Sequence, residues 1–449
     1  MSIPALAPRL GRDALDIPGA VPPVRIVHLG LGAFHRSHQA WYTARAADAA
    51  EWGIAAYTGR RPHTARALER QECVYTLVER AADRDRFTRI GSIVRAVPGD
   101  DVDDFVRTLA SPDVAVLTLT ITEAGYRLDA AGDLDLGDPD VGADLEVLRA
   151  LADGEAVKAR PRTALGRVLL GLHARHRAGA PPIAIVSCDN VPDNGTLVER
   201  ALTRLAGAVS PEAAALVFGA SFVSTSVDRI TRHLDGADVD VVRAATGRLD
   251  EAPVVAEPFS DWVLSGHFPS GRPDWESAGA RFVDDITPWE ARKLWLLNGA
   301  HTLLAASGTL RGHRTVAEAV ADPVCRAQVE ALWDEAARQL AGLDLRGYRT
   351  ALVERFGNPR MEHRLAQIAA DSFTKLRLRV VPVARGERAA GRSARGCATA
   401  IAACVVADRG RLTDRGVLTG LLHDLDPGLA ADPGFVAVVL AAVETLSTT

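Results

Sequence analysis

The sequence predicts an α/β chain, doubly wound about a parallel sheet over residues 1–285 and mostly α-helical over residues 286–449. Three observations carry that expectation. Short β-branched runs alternate with helical stretches through the first part. One of those runs, VRIVHL, breaks at Gly30-Leu31-Gly32. After residue 285 apolar residues recur almost throughout at three- and four-residue spacing.

Residues 1–23 are proline-rich and aperiodic, and VRIVHL at 24–29 then reads as a buried strand followed by a helix over 37–50. GIAAYT at 53–58 is a second strand. VAVLTLTI at 114–121 is the clearest of all and ends in the polar Thr122 and Glu123. IAIVS at 183–187 and LVFGASFV at 216–223 supply the later strands, continuous apolar runs of the kind that parallel sheets bury on both faces. Helices are expected over 288–306, 316–343, 361–376, 398–407 and 433–446, and the arginine-rich run 385–395 reads as an exposed loop.

Composition narrows the function. With 449 residues, 47% of them hydrophobic, the chain buries a large core, which excludes wholesale disorder. Its net charge of -5 offers no basic field to nucleic acid or an anionic membrane. Cys73, Cys188, Cys325, Cys397 and Cys404 form no CxxC pair, which argues against a zinc cluster or a disulfide framework and fits a reducing cytoplasm. The opening residues lack a secretory pattern and no run reaches about 18 apolar residues, so neither export nor membrane spanning is expected.

Two regions carry chemistry. Gly30-Leu-Gly32-Ala-Phe-His35 begins like a Rossmann-type dinucleotide fingerprint, the first glycine allowing a tight turn and the second a close approach of pyrophosphate to the backbone. The third glycine position is His35, and a GxG alone is also an ordinary strand-to-helix turn. After the second strand, where an acidic residue grips the adenosine ribose, stand Thr58-Gly59-Arg60-Arg61; these arginines either hold a 2′-phosphate, favouring NADP, or are simply solvated. In the second part, PWEARKLWLLNGAH at 288–301 is an apolar helix carrying Glu290, Lys293, Asn298 and His301 within an arc of roughly 140° at about 100° per residue. Burying such groups costs desolvation unless they are paired, so this is either a satisfied polar seam or a site. SCDNVPDNG at 187–195 follows a strand end, where open α/β sheets place ligand contacts, although such a stretch also makes turns and helix caps.

Taken in order, GLGAFHRSHQA (30–40), VYTLVER (74–80), TLTITEAGY (118–126), SCDNVPDNG, SVDRIT (226–231), KLWLLNGAH (293–301) and QIAADSFTK (367–375) resemble the polyol-specific long-chain dehydrogenases, the mannitol dehydrogenase family. The resemblance implies a Rossmann N-terminal domain, a helical C-terminal domain, metal-independent hydride transfer with NAD, and a monomer. It makes Lys293 the general base, whose pKa must fall from about 10.4 towards the working range through burial beside Leu294 and Leu297. It makes Asn190 and Asn298 the two amides on the reacting oxygen, His301 the residue that orients that oxygen, and Glu290 a gate for proton exchange. Asp228 and Lys375 would grip substrate hydroxyls. Gly30, Gly32, Phe34 and Arg60 form the nucleotide end, with Thr120 and Glu123 bordering the nicotinamide. NAD is expected, with NADP permitted by Arg60-Arg61.

Substrate choice rests on two departures. Gln367 and Ala370 stand where mannitol 2-dehydrogenases carry an Arg and a His, and HRLAQIAAD at 363–371 is similar instead to the HRxxQIAxD of fructuronate reductases, which interconvert D-mannonate and D-fructuronate. Arg364, Lys375 and Arg379 then face a sugar carboxylate, or the two arginines are ordinary surface charges. Ser372-Phe373 replaces the expected glycine after Asp371. The expected ligand is a small sugar alcohol, ketose or uronate. A neutral polyol dehydrogenase for mannitol, arabinitol or sorbitol is the alternative, and a phosphorylated sugar stays open. An inert nucleotide-binding protein is disfavoured because every proposed catalytic position is filled.

Overall fold

The structure, a computed structural model, describes residues 7–15, 20–59, 61–155, 157–232, 234–410 and 414–447. It forms two compact units, one running to Ile286 and the other from Thr287, with the turn Ala81–Arg84 grouped with the second.

The first unit holds β1 Val24–Leu29, β2 Gly53–Tyr57, β3 Tyr75–Arg80, β4 Asp85–Ile90, β5 Ile93–Val97, β6 Val116–Leu119, β7 Ile183–Ser187, β8 Ala220–Asp228, β9 Thr231–Arg232, β10 Val254–Ala256, β11 Asp261–Ser265 and β12 Arg281–Phe282. Its main sheet runs β12-β11-β8-β7-β6-β1-β2-β5. From β5 to β8 every neighbour is parallel, and β11 adds to β8 antiparallel. The chain leaves β1 towards β2 and β5, then returns to place β6 on the other side of β1. That reversal is the switch point at which open sheets bind ligands beyond their carboxyl ends. Alternate side chains supply two cores: Ile26, Ile54, Val116 and Val186 point to one face, and Val27, Ala55, Leu117 and Ile185 to the other. Burial on both faces is what the unbroken apolar runs require.

A second sheet, β4-β3-β10-β9, was not among the expected strands. DRFTRI of β4 carries only two apolar residues in six, and its pairing with β3 is antiparallel. The helix expected over 37–50 instead begins at Ala33 and breaks at His38, giving Ala33–Ser37 and Gln39–Arg45. The strand expected over 216–223 is a correction as well. Ser210 accepts the Ala213 N–H and Pro211 opens a helix, Pro211–Val217, so the strand starts only at Ala220.

In the second unit the helix Gly299–Leu310 is buried on every side from Gly299 to Gly308, as a helix apolar all round must be. The single helix expected over 316–343 divides at Asp322-Pro323, where Asp322 caps Pro323–Ala337. That expected over 361–376 divides into Leu365–Ala369 and Ser372–Arg379 around Asp371, which has φ 54°. The run 385–395 is not simply a loop: the helix Val381–Ala389 extends into it. Three of its arginines are engaged, with Arg385 on Asp426, Arg388 on Asp432 and Arg392 on Glu387. Burial pushes the Glu387 carboxyl up, but Arg392 and Arg338 together bring it down to about 2.

Candidate active site

At the carboxyl end of β1 the chain turns through Gly30, whose φ is 114°. A Cβ there would lie 2.1 Å from the Thr120 carbonyl oxygen, so only glycine fits where β1 passes β6. Gly32 differs: a Cβ on it would meet nothing nearer than the Gly30 carbonyl oxygen at 3.5 Å. The space over this backbone is open, and a dinucleotide's pyrophosphate fits it. Gly30→Ala is therefore expected to lower the melting temperature, whereas Gly32→Ala should melt like the parent and lose mainly dinucleotide affinity. Thermal denaturation beside a fluorescence titration with NADH checks both.

Position 35, where the fingerprint has its third glycine, carries a fully buried histidine. Its ring stacks on that of His28 in β1, with centroids 3.3 Å apart and planes at 8°. The Thr120 hydroxyl donates to the Gly30 carbonyl (2.8 Å) and lies 3.1 Å from His28 Nε2, while Thr118 Oγ1 lies 2.8 Å from His28 Nδ1. Burial holds both rings neutral, His28 being pushed down to about 3. Phe34 is half-buried and stacks on His38. Glu123 is exposed at the start of the turn Glu123–Tyr126, and Arg61 is exposed after β2. Arg60 lies outside the described residues.

Beyond β7, Asp189 is the organising residue, one that sequence reasoning passed over. Its carboxylate accepts the N–H groups of Ile121 and Thr122 and the Tyr126 hydroxyl, at 2.7–3.1 Å. It thereby fixes the loop after β6; burial raises its pKa despite these bonds. Asn194 is buried and clamps β7 to β8 through the Asp189 and Thr225 backbone. Asn190 stands exposed at the same strand end, and Asp228 is buried at the end of β8. An aspartate directly after a buried strand was the available signal.

In the second unit Glu290 lies on Thr287–Arg292, and His301 is buried on Gly299–Leu310. Between them Lys293–Asn298 is a π-helix rather than the α-helix expected. With i→i+5 pairing each residue turns about 80° instead of 100°, which narrows the arc spanned by Glu290, Lys293, Asn298 and His301 from roughly 140° to about 80°. On ideal helix angles amine, amide and imidazole then fall on one narrow face. The His301 ring lies 4.8 Å from both Phe356 and His363, the latter edge-on. Burial, then Arg355, lowers the His363 pKa. Lys375 is half-buried with its ammonium on the Ile368 and Ala370 carbonyls. Arg364 and Gln367 are exposed; Arg379 is half-buried and turned onto the Asn298 carbonyl and the Thr302 hydroxyl. Among the described residues no three His, Cys, Asp or Glu are grouped to hold a metal ion, and no helix is long and apolar enough to cross a membrane.

Comparison with known proteins bears on the fold and the family. The mannitol dehydrogenase Rossmann domain matches residues 24–277 and the mannitol dehydrogenase C-terminal domain residues 285–411. D-mannonate oxidoreductase of Escherichia coli K12 is 37% identical over 374 residues, 80% of this chain and 75% of its own. Among solved structures, Pseudomonas fluorescens mannitol 2-dehydrogenase, in a ternary complex with NAD and D-mannitol, superposes with a TM-score of 0.76 at 31% identity, covering 95% of this chain and 92% of that one. A substrate-free D-sorbitol dehydrogenase gives a TM-score of 0.84 at 27% identity, covering 98% and 95%. With both domains matched in series behind a glycine turn and a lysine–asparagine–histidine helix face, the chain belongs to the mannitol dehydrogenase family, NAD-dependent oxidoreductases that act on CH–OH groups.

Proposed function

We propose that this enzyme interconverts a secondary alcohol and the corresponding ketone of a linear sugar acid, D-mannonate and D-fructuronate, using NAD and no metal. The observation that carries the choice is the segment 363–371, where Gln367 and Ala370 take the places at which mannitol 2-dehydrogenases carry an Arg and a His, and where Arg364 stands at the head of Leu365–Ala369. The 37% identity to a D-mannonate oxidoreductase supports it.

In this reading Lys293, as the neutral amine, takes the hydroxyl proton. Asn298 donates its amide N–H to the oxygen as charge develops there, and His301 holds the same oxygen in line. Asn190 supplies a second amide, Glu290 returns the proton from Lys293 to solvent, and Asp228 and Lys375 contact the remaining hydroxyls. Bound at Gly30, Gly32, Phe34, Thr120 and Glu123, NAD supplies the hydride acceptor. Residues 1–285 serve the dinucleotide and lend Asn190 and Asp228 to the substrate, and residues 286–449 carry the proton chemistry and the other substrate contacts. Five buried, unbridged cysteines support work in a reducing cytoplasm, and the chain is taken to act as a monomer.

The test is NADH and NADPH oxidation with fructuronate, tagaturonate, fructose and fructose 6-phosphate. A charge-assisted contact made in the transition state gives fructuronate an advantage in kcat/KM of about ten- to a hundredfold over fructose. NADH should exceed NADPH as the donor. Equal kcat/KM for fructuronate and fructose would replace this reading with the neutral polyol one, which the D-mannitol complex of the P. fluorescens enzyme favours.

A further inference from the structure

Two side chains from distant helices reach the backbone of the π-helix. The Trp333 indole, fully buried on Pro323–Ala337, donates to the Leu296 carbonyl at 2.8 Å. Arg379, the last residue of Ser372–Arg379, places Nη1 3.3 Å from the Asn298 carbonyl and 3.0 Å from the Thr302 hydroxyl, which itself donates to the Asn298 carbonyl at 3.1 Å. Carbonyls inside a regular helix normally need no side-chain donor. Here the widened turn, with its poorer backbone pairing, receives three.

The placement matters because it lies between Lys293 and Asn298. Five α-helical steps would set these two about 140° apart, whereas five π-helical steps return Asn298 to within roughly 40° of Lys293. The second geometry sets the amine and the amide nearly one above the other, as a pair serving one oxygen atom needs. We propose that Trp333 and Arg379 are positioning residues that hold the π-helical register, so that the donors on Leu296 and Asn298 set the geometry of the Lys293–Asn298 pair. Arg379 then acts on the catalytic helix rather than on a substrate carboxylate. This inference rests on the roles proposed above for Lys293 and Asn298.

The experiment compares Trp333→Phe, which keeps an aromatic ring and removes the N–H, with Arg379→Met and Arg379→Lys. Each is measured for kcat, for KM of fructuronate and fructose, and for melting temperature. Loss of one register-holding bond should lower kcat about tenfold in Trp333→Phe and in Arg379→Met, with both KM values within about twofold of the parent. Arg379→Lys, which restores a cationic donor, should recover most of the lost kcat. A Trp333→Phe enzyme with a lower melting temperature but the parental kcat would make the indole a packing group only, and the proposal would fail. A rise in KM for fructuronate but not fructose in Arg379→Met would return Arg379 to the substrate and equally overturn it. Because Arg379 is half-buried, its pair of variants decides the matter if Trp333→Phe does not fold. Lys293→Ala separates the two levels: if it is inactive while Trp333→Phe and Arg379→Met are unimpaired, only the register inference falls, and if it is active the base assignment falls first.

Discussion

Lys293→Ala is expected to lower kcat by about a hundred- to ten-thousandfold, the range over which a positioned general base acts, while NADH binding stays intact. The binding prediction follows from the separation of tasks in the chain: the glycine turn lies in the unit that ends at Ile286, and Lys293 in the one that begins at Thr287. Sugar oxidation needs the neutral amine and should rise with pH; ketone reduction needs the ammonium and should fall with pH through the same apparent pKa. Both limbs should vanish in Lys293→Ala. Stopped-flow turnover in both directions, with a fluorescence titration of NADH, checks the set. Parental kcat in Lys293→Ala would remove the base from Lys293 altogether.

Much of this was readable from residues because backbone constraint and burial leave local marks. Gly30 is there because any Cβ collides with Thr120, and an unbroken VRIVHL ahead of it is what a strand buried on both faces must look like. Lys293, Asn298 and His301 were legible as polar residues on an apolar helix. The turn that gathers them was not, since KLWLLN reads the same in either helical register. What holds the wider turn, in the inference drawn above, lies 37 and 81 residues downstream, at Trp333 and Arg379. The role of Asp189 was hidden for a similar reason: two of its three partners are backbone N–H groups at 121 and 122, which carry no sequence signature, so that only its place just after a strand marked it. In the run 385–395 the arginines looked solvated because Asp426 and Asp432, which pair with Arg385 and Arg388, sit on later helices. At 216–223 a short apolar run was shared between a capped helix and the strand after it, and the Ser210-Pro211 cap decided the division.

The histidine pair beneath the glycine turn makes the second large effect an acid instability. An unfolded imidazole takes up a proton near pH 6.5, whereas His28 in the folded chain does so only near pH 3; burial is the main cause. His35 is shifted in the same direction, by burial first and then by repulsion from His28, with Arg36 and His38 adding to it. The unfolded state therefore binds more protons across this window. Stability contributed by the neutral pair is fully present above about pH 6.5 and is lost as the pH falls, at about 1.4 kcal/mol per pH unit for each ring that must stay uncharged. The loss should reach the nucleotide turn, because the Thr120 hydroxyl joins His28 to the Gly30 carbonyl. Denaturant unfolding between pH 7 and 4 should show a slope that is shallower by up to one proton in His35→Phe, whose ring still stacks on His28 without titrating. NADH affinity of the parent should weaken over the same interval and that of His35→Phe less so. An unchanged slope in His35→Phe would place the acid sensitivity in ion-paired carboxylates held low in the folded chain, such as Glu387 between Arg338 and Arg392, instead of in the pair.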